Sequence, residues 1–228
     1  MIYFNDKRYP ISLIIIFLFN ILLTQLPLTS VFGFEFSALN SILFVIVSAF
    51  LVISFLKRGE NFVKKIIKIF PVFLLIPLII SVLNSLFTTT CSLTDGFLFY
   101  LIITVPSLII GCALGLVSYY LFPKYPRILF LLLMLTIALI PVLEVYFNPQ
   151  IYFYNPLIGF FPGTIYDERL SISLNLIVYR LLNVIFFIFL IFLVKKIISY
   201  KLRINRVTFS VTISVFCSGW RTASRWEF

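Results

Sequence analysis

The stretch GFLFYLIITVPSLIIGCALGLVSYYLF, Gly96–Phe122, decides how the rest of the chain is read. It carries no charged side chain and is longer than the roughly 20 helical residues that cross a hydrocarbon core of about 30 Å. No apolar and polar alternation runs through it, so it does not read as a strand of an outer-membrane barrel. A helix satisfies every backbone N–H and C=O within one segment, and only that or a closed barrel is tolerated in lipid. Gly96–Phe122 is therefore predicted to be a membrane-spanning helix.

Comparable apolar runs lie on both sides. They fall near 11–28, 37–56, 69–87, 128–147 and 172–194, which with 96–122 makes a bundle of six predicted transmembrane helices. The composition agrees: 62% of residues are hydrophobic, 11% are charged and the mean hydropathy is +1.14. Soluble domains carry about a quarter charged residues. The expected class is an all-α membrane protein with one polytopic domain over 1–206 and a short tail over 207–228.

The basic residues are sorted between the connections. Lys7 and Arg8 precede the first run; Lys57, Arg58, Lys64, Lys65 and Lys68 separate the second from the third. Lys124 and Arg127 separate the fourth from the fifth, and Lys195, Lys196, Lys201, Arg203 and Arg206 follow the sixth. The alternate connections hold Arg169 with Glu35, Asp95, Asp167 and Glu168. Cytoplasmic loops are enriched in Lys and Arg, so the N-terminus and the segment after the sixth run are expected inside. The net charge of +10 is thus a topology signal and not a nucleic-acid footprint, which needs a basic face on a soluble fold. Twenty-eight phenylalanines against five alanines point to an AT-rich coding genome, and the expected location is a bacterial cytoplasmic membrane. The lipid bilayer is the first partner, with a membrane-protein partner or a second copy of the chain as the further expectation.

Chemistry-bearing residues are few. The chain has no histidine, which removes Ser-His triads and histidine-based zinc sites. Cys91, Cys112 and Cys217 form no C-x-x-C pair, so neither a metal knuckle nor a disulfide framework is indicated. No cofactor is expected, and the balance lies against an enzyme.

Two features stand out within the spans. Thr104, Ser107, Gly111, Gly115 and Ser118 fall on one helical stripe at 100° per residue, and Gly111 and Gly115 form G-x-x-x-G. Small residues let helix backbones approach closely; packing inside the bundle is expected, with dimerisation as the alternative. Arg180 lies about eight residues inside the sixth run, where a cation costs about 2.5–3.5 kcal/mol on insertion scales. Asn175, Tyr179 and Asn183 share its side of the helix. The expected counter-charge is Glu144, followed by Asp167 and Glu168, and these residues with Asn183 make a tentative substrate-binding cluster or a structural ion pair.

The connection NPQIYFYNPLIGFFPGTIYDERL, Asn148–Leu170, is too apolar for an ordinary loop and too broken by Pro149, Pro156 and Pro162 for a span. Its aromatic rings suit the headgroup level. It is expected to be an aromatic interfacial or re-entrant loop between helices 5 and 6, with each Asn-Pro pair starting a short helical turn, because Asn caps helices and Pro favours their first position.

Beyond Arg206, VTFSVTISVFCSGWRTASRWEF holds an apolar run too short to cross. It reads either as a truncated seventh span or as an interfacial tail. Three roles follow: a noncatalytic membrane subunit or anchor as the leading one, a small transporter with an outward-facing site around Arg180 and Glu144, and the anchor region of a truncated membrane-bound enzyme.

Overall fold

The computed structural model describes residues 8–87, 93–147, 153–161 and 172–199. Helices dominate: α1 Arg8–Gln25, α2 Phe34–Lys57, α3 Phe62–Ser85, α4 Leu93–Phe99, α5 Val105–Leu121, α6 Pro126–Phe147 and α7 Leu174–Ser199. A π-helical turn, Tyr100–Thr104, joins α4 to α5 into one continuous rod. Among the described residues, six helices are long and apolar enough to cross a membrane, with the α4–α5 rod counted as one.

The spans match the apolar runs, with one systematic difference. α3 begins at Phe62 and α7 runs on to Ser199, so Lys64, Lys65, Lys68, Lys195 and Lys196 sit on helical turns and not in loops. Long aliphatic stems let such lysines continue a helix while their ammonium groups stay in water.

α2 and α5 form the centre. They run parallel: Thr104 Oγ1 donates to the Ser37 carbonyl at 3.0 Å, Gly111 lies on Val45 and Ser48, and Gly115 lies on Ala49. A Cβ added at Gly111 would fall 2.8 Å from the Val45 Cα, and one at Gly115 2.9 Å from the Ala49 Cα. Both distances are closer than real Cβ contacts, so glycine at these positions is what lets the two backbones meet. The serines of this seam are buried, and Ser48, Ser107 and Ser118 each donate to the carbonyl one turn back on their own helix. Their polarity is thereby absorbed locally.

The remaining helices surround this pair. α1 packs on α3, while α6 and α7 both pack on α5. Their outward faces carry exposed large apolar residues, among them Leu18, Ile67, Leu135, Val178 and Phe192. Such faces suit acyl chains. α3 contains Pro71 and Pro77, and the latter deprives Phe73 of its usual helical donor. Near this break Tyr100 Oη donates to the Leu74 carbonyl at 2.9 Å, tying α3 to the π-helical turn.

The connection between α6 and α7 departs from expectation. Instead of starting a helical turn, NPLIGFF makes a β-hairpin: β1 Phe153–Asn155 pairs antiparallel with β2 Gly159–Phe161. The Asn155 side chain accepts from the Leu157 N–H at 2.7 Å, which bends the chain as an Asx turn. Gly159, at φ +102°, occupies a conformation that L side chains rarely adopt. The other Asn-Pro pair, at Asn148, lies outside the described residues, as do 162–171 and 200–228 with the short C-terminal run.

Candidate functional site

The hairpin does not lie flat on the bundle. Its tip reaches between α2, the π-helical turn and α7. Ser41 Oγ donates to the Leu157 carbonyl at 2.5 Å, and Ser41 stands seven residues into α2, about 10 Å from that helix's start at 1.5 Å per residue. Leu157 and Phe160 are buried, Phe160 against Phe34 with ring centroids 4.8 Å apart. Tyr154 of β1 lies 5.0 Å from the Tyr179 ring of α7. The hairpin tip is therefore inserted between helices, a plug of protein in one end of the bundle.

Arg180 stands at the centre of this contact. Six residues into α7, its side chain is only 2% exposed. Nη1 donates to the Pro156 carbonyl at 2.6 Å and Nη2 to the Ile103 carbonyl at 3.3 Å. One planar guanidinium thus joins α7 to the hairpin tip and to the π-helical turn. A fork of fixed N–H groups suits this, since its donors reach acceptors on two different elements. The π-helical turn contributes because its widened register departs from the i to i−4 ladder, and the Ile103 carbonyl accepts from both Ser107 Oγ and Arg180. Gly159 faces the guanidinium: an added Cβ would lie 3.4 Å from Nη2 and 3.5 Å from Nε.

Asn183 follows one turn deeper on α7 and is 5% exposed. Among the described residues, neither its Nδ2 nor the Nε of Arg180 has a hydrogen-bond partner. Asn175 is exposed and lies off this face. Glu144 is on α6, three residues before that helix ends, but its side chain is outside the described part, and Asp167 and Glu168 fall outside it altogether. Gly111 and Gly115 belong to the α2 seam, eight and twelve residues along the rod from Ile103, so they are not part of the Arg180 cluster. Among the described residues, no group of three or more His, Cys, Asp or Glu converges as a metal site would require.

Sequence reasoning looked for carboxylates around Arg180 and did not anticipate backbone carbonyls. Ser41, Pro156 and Gly159 were the residues it missed. The available signal was Gly159, four residues after Asn155, which marks a turn returning on itself. The chain matches no family model, and neither a curated protein nor a solved structure matches it.

Proposed function

We propose that this chain is a noncatalytic multi-pass membrane protein, working as the membrane-embedded subunit or anchor of a larger assembly, with its N-terminus in the cytoplasm of a bacterium. The observation that carries this reading is how Arg180 is used. One N–H of each Nη group goes to the protein's own backbone, and the hairpin tip occupies the space between α2, the π-helical turn and α7. A scaffold needs a rigid membrane core and an outer surface to present to a partner. A transporter needs an accessible polar cavity.

The second reading, a small transporter with an outward-facing site, is favoured by one specific observation. Arg180 Nε and Asn183 Nδ2 are buried donors with no partner among the described residues, and buried donors ordinarily find acceptors. A substrate oxygen would supply one.

The experiment is cysteine accessibility in a variant lacking native cysteines, together with isolation from native membranes under mild detergent. For a subunit or anchor, Asn183→Cys resists a small water-soluble thiol reagent, and the chain migrates with a stoichiometric second membrane protein. Rapid modification of Asn183→Cys, slowed by one class of solute, would instead establish the transporter. A monodisperse 26.5 kDa chain from native membranes would overturn the subunit reading.

A further inference from the structure

The brace leaves part of Arg180 unused. A guanidinium carries five N–H groups, and the carbonyls of Pro156 and Ile103 take one from each Nη. Among the described residues, Arg180 Nε has no partner, and neither has Asn183 Nδ2. Both side chains are buried, and buried donors ordinarily find acceptors. Charge is unbalanced at the same place. Among the described residues no carboxylate pairs with Arg180, and a buried cation is costly without a counter-charge.

The unused donors share one side of α7. Residues three apart on a helix have Cβ atoms about 5–6 Å from each other, and helical side chains lean back toward the N-terminus. The Asn183 amide therefore covers the turn that carries Arg180, within reach of an ion held at Nε. In a guanidinium, Nε–H and one N–H of the neighbouring Nη2 point the same way along one edge, a fork that matches the two oxygens of a carboxylate. Gly159 stands beside these atoms and brings no side chain against them: an added Cβ would lie 3.4 Å from Nη2 and 3.5 Å from Nε. The site thus offers one formal positive charge and a set of N–H donors. A single negative charge balances it, whereas a dianion would leave an excess charge in an apolar interior.

We propose that Arg180 and Asn183 form a binding site for a small monocarboxylate, its oxygens held by the Nε edge of the guanidinium and by Asn183 Nδ2. The inference rests on the transporter reading only in using the same two donors, and it names the class of solute they take. A carboxylate bound there neutralises the buried cation whether it is carried across the membrane or resides in the protein. Bound, it also adds a contact behind the hairpin tip, since the same guanidinium holds Pro156.

The test is thermal unfolding of the purified full chain in detergent, titrated with sodium formate against sodium chloride and sodium sulfate at constant ionic strength. Formate is expected to raise the unfolding temperature saturably, as a ligand of the folded state does, and to do so more than either other anion. Asn183→Ala should raise the half-saturating concentration about tenfold, the loss of one hydrogen bond to a charged group. Asn183→Asp supplies a carboxylate from the chain itself and should abolish the formate effect; the two variants keep the test open if one fails to fold. Asn175→Ala, exposed and off this face, should leave the midpoint unchanged. An equal rise with chloride or sulfate, or an undiminished one in Asn183→Asp, would overturn the site, as would no rise with formate. A formate effect absent from the wild type but present in Glu144→Gln, or in Asp167→Asn with Glu168→Gln, would show that an acid of the chain already fills the site and would overturn a solute there. Uptake of labelled formate into vesicles containing the chain separates the two readings: binding without uptake removes the transporter and leaves the site, whereas uptake of another solute without formate binding does the reverse.

Discussion

The guanidinium of Arg180 and the carbonyl of Pro156 meet at 2.6 Å, joining a helix to the tip of a hairpin inserted between helices. The same side chain reaches Ile103, so Arg180 holds three elements together. Its replacement should act on the hairpin first. Arg180→Leu leaves the Pro156 carbonyl buried without its donor, and hydrogen bonds from charged groups contribute about 1.5–3 kcal/mol each. Removing a cation from an apolar interior offsets part of that loss. A net destabilisation of about 1–3 kcal/mol is expected in detergent, and Arg180→Lys should recover less than half, because an ammonium cannot reproduce the fork. Unchanged thermal unfolding in Arg180→Leu would show that the brace contributes nothing.

The proposed pairing with Glu144 is separable from that brace. With the guanidinium oriented by two backbone carbonyls, the Arg180→Leu and Glu144→Leu effects are expected to add within about 0.5 kcal/mol, as for independent sites. Partial recovery of Glu144→Leu by the second replacement, with a coupling above about 1 kcal/mol, would restore the ion pair as the main contact.

The hairpin tip is also held from α2. Ser41→Ala removes the donor to Leu157 and should cost about 1 kcal/mol. Gly159→Ala should cost more, because its φ of +102° is strained for any residue with a Cβ. A cysteine at Ile158 should become more reactive in either background. Equal reactivity in all three would mean that the tip is held by packing alone.

These contacts mark where the sequence could and could not be read. The six long apolar helices were legible because their runs are long and uninterrupted, and the start of α3 and the end of α7 were missed by one to two turns because lysine is a good helix former whose charge disguises the boundary. That the connection between α6 and α7 is neither an ordinary loop nor a span was legible from its aromatics and prolines. Its hairpin was not, because Asn before Pro serves a helix N-cap and an Asx turn equally well. The choice at Asn155 is made by Ser41 and Arg180, far away in the chain. Carbonyl acceptors left no trace in a search for acids, since every residue has a carbonyl and only the fold decides which are turned inward.

Orientation gives a prediction of its own. Asp95→Cys, at the start of the α4–α5 rod, and Lys196→Cys, near the end of α7, lie at opposite ends of parallel spans. With native cysteines removed, an impermeant reagent should label Asp95→Cys on intact cells, and Lys196→Cys only after the membrane is broken. The reverse pattern would invert the topology read from the basic residues.

The last prediction concerns the central seam. Gly111 and Gly115 sit where a Cβ would press on the α2 backbone at Val45 and Ala49. Backbone, unlike the end of a flexible side chain, yields only if the whole helix moves. Gly111→Ala and Gly115→Ala are therefore each expected to destabilise by about 1–3 kcal/mol, the usual cost of overpacking, and the Leu variants by more. This runs against helix propensity, by which Gly→Ala stabilises an exposed helix by up to about 1 kcal/mol. The sign of the change decides between the two. Stabilisation by both alanines, measured by thermal unfolding of the purified chain, would place the stripe away from α2. Destabilisation with unchanged oligomeric size would locate its role within one bundle, whereas dissociation of a dimer by Gly115→Leu would give the stripe a second partner.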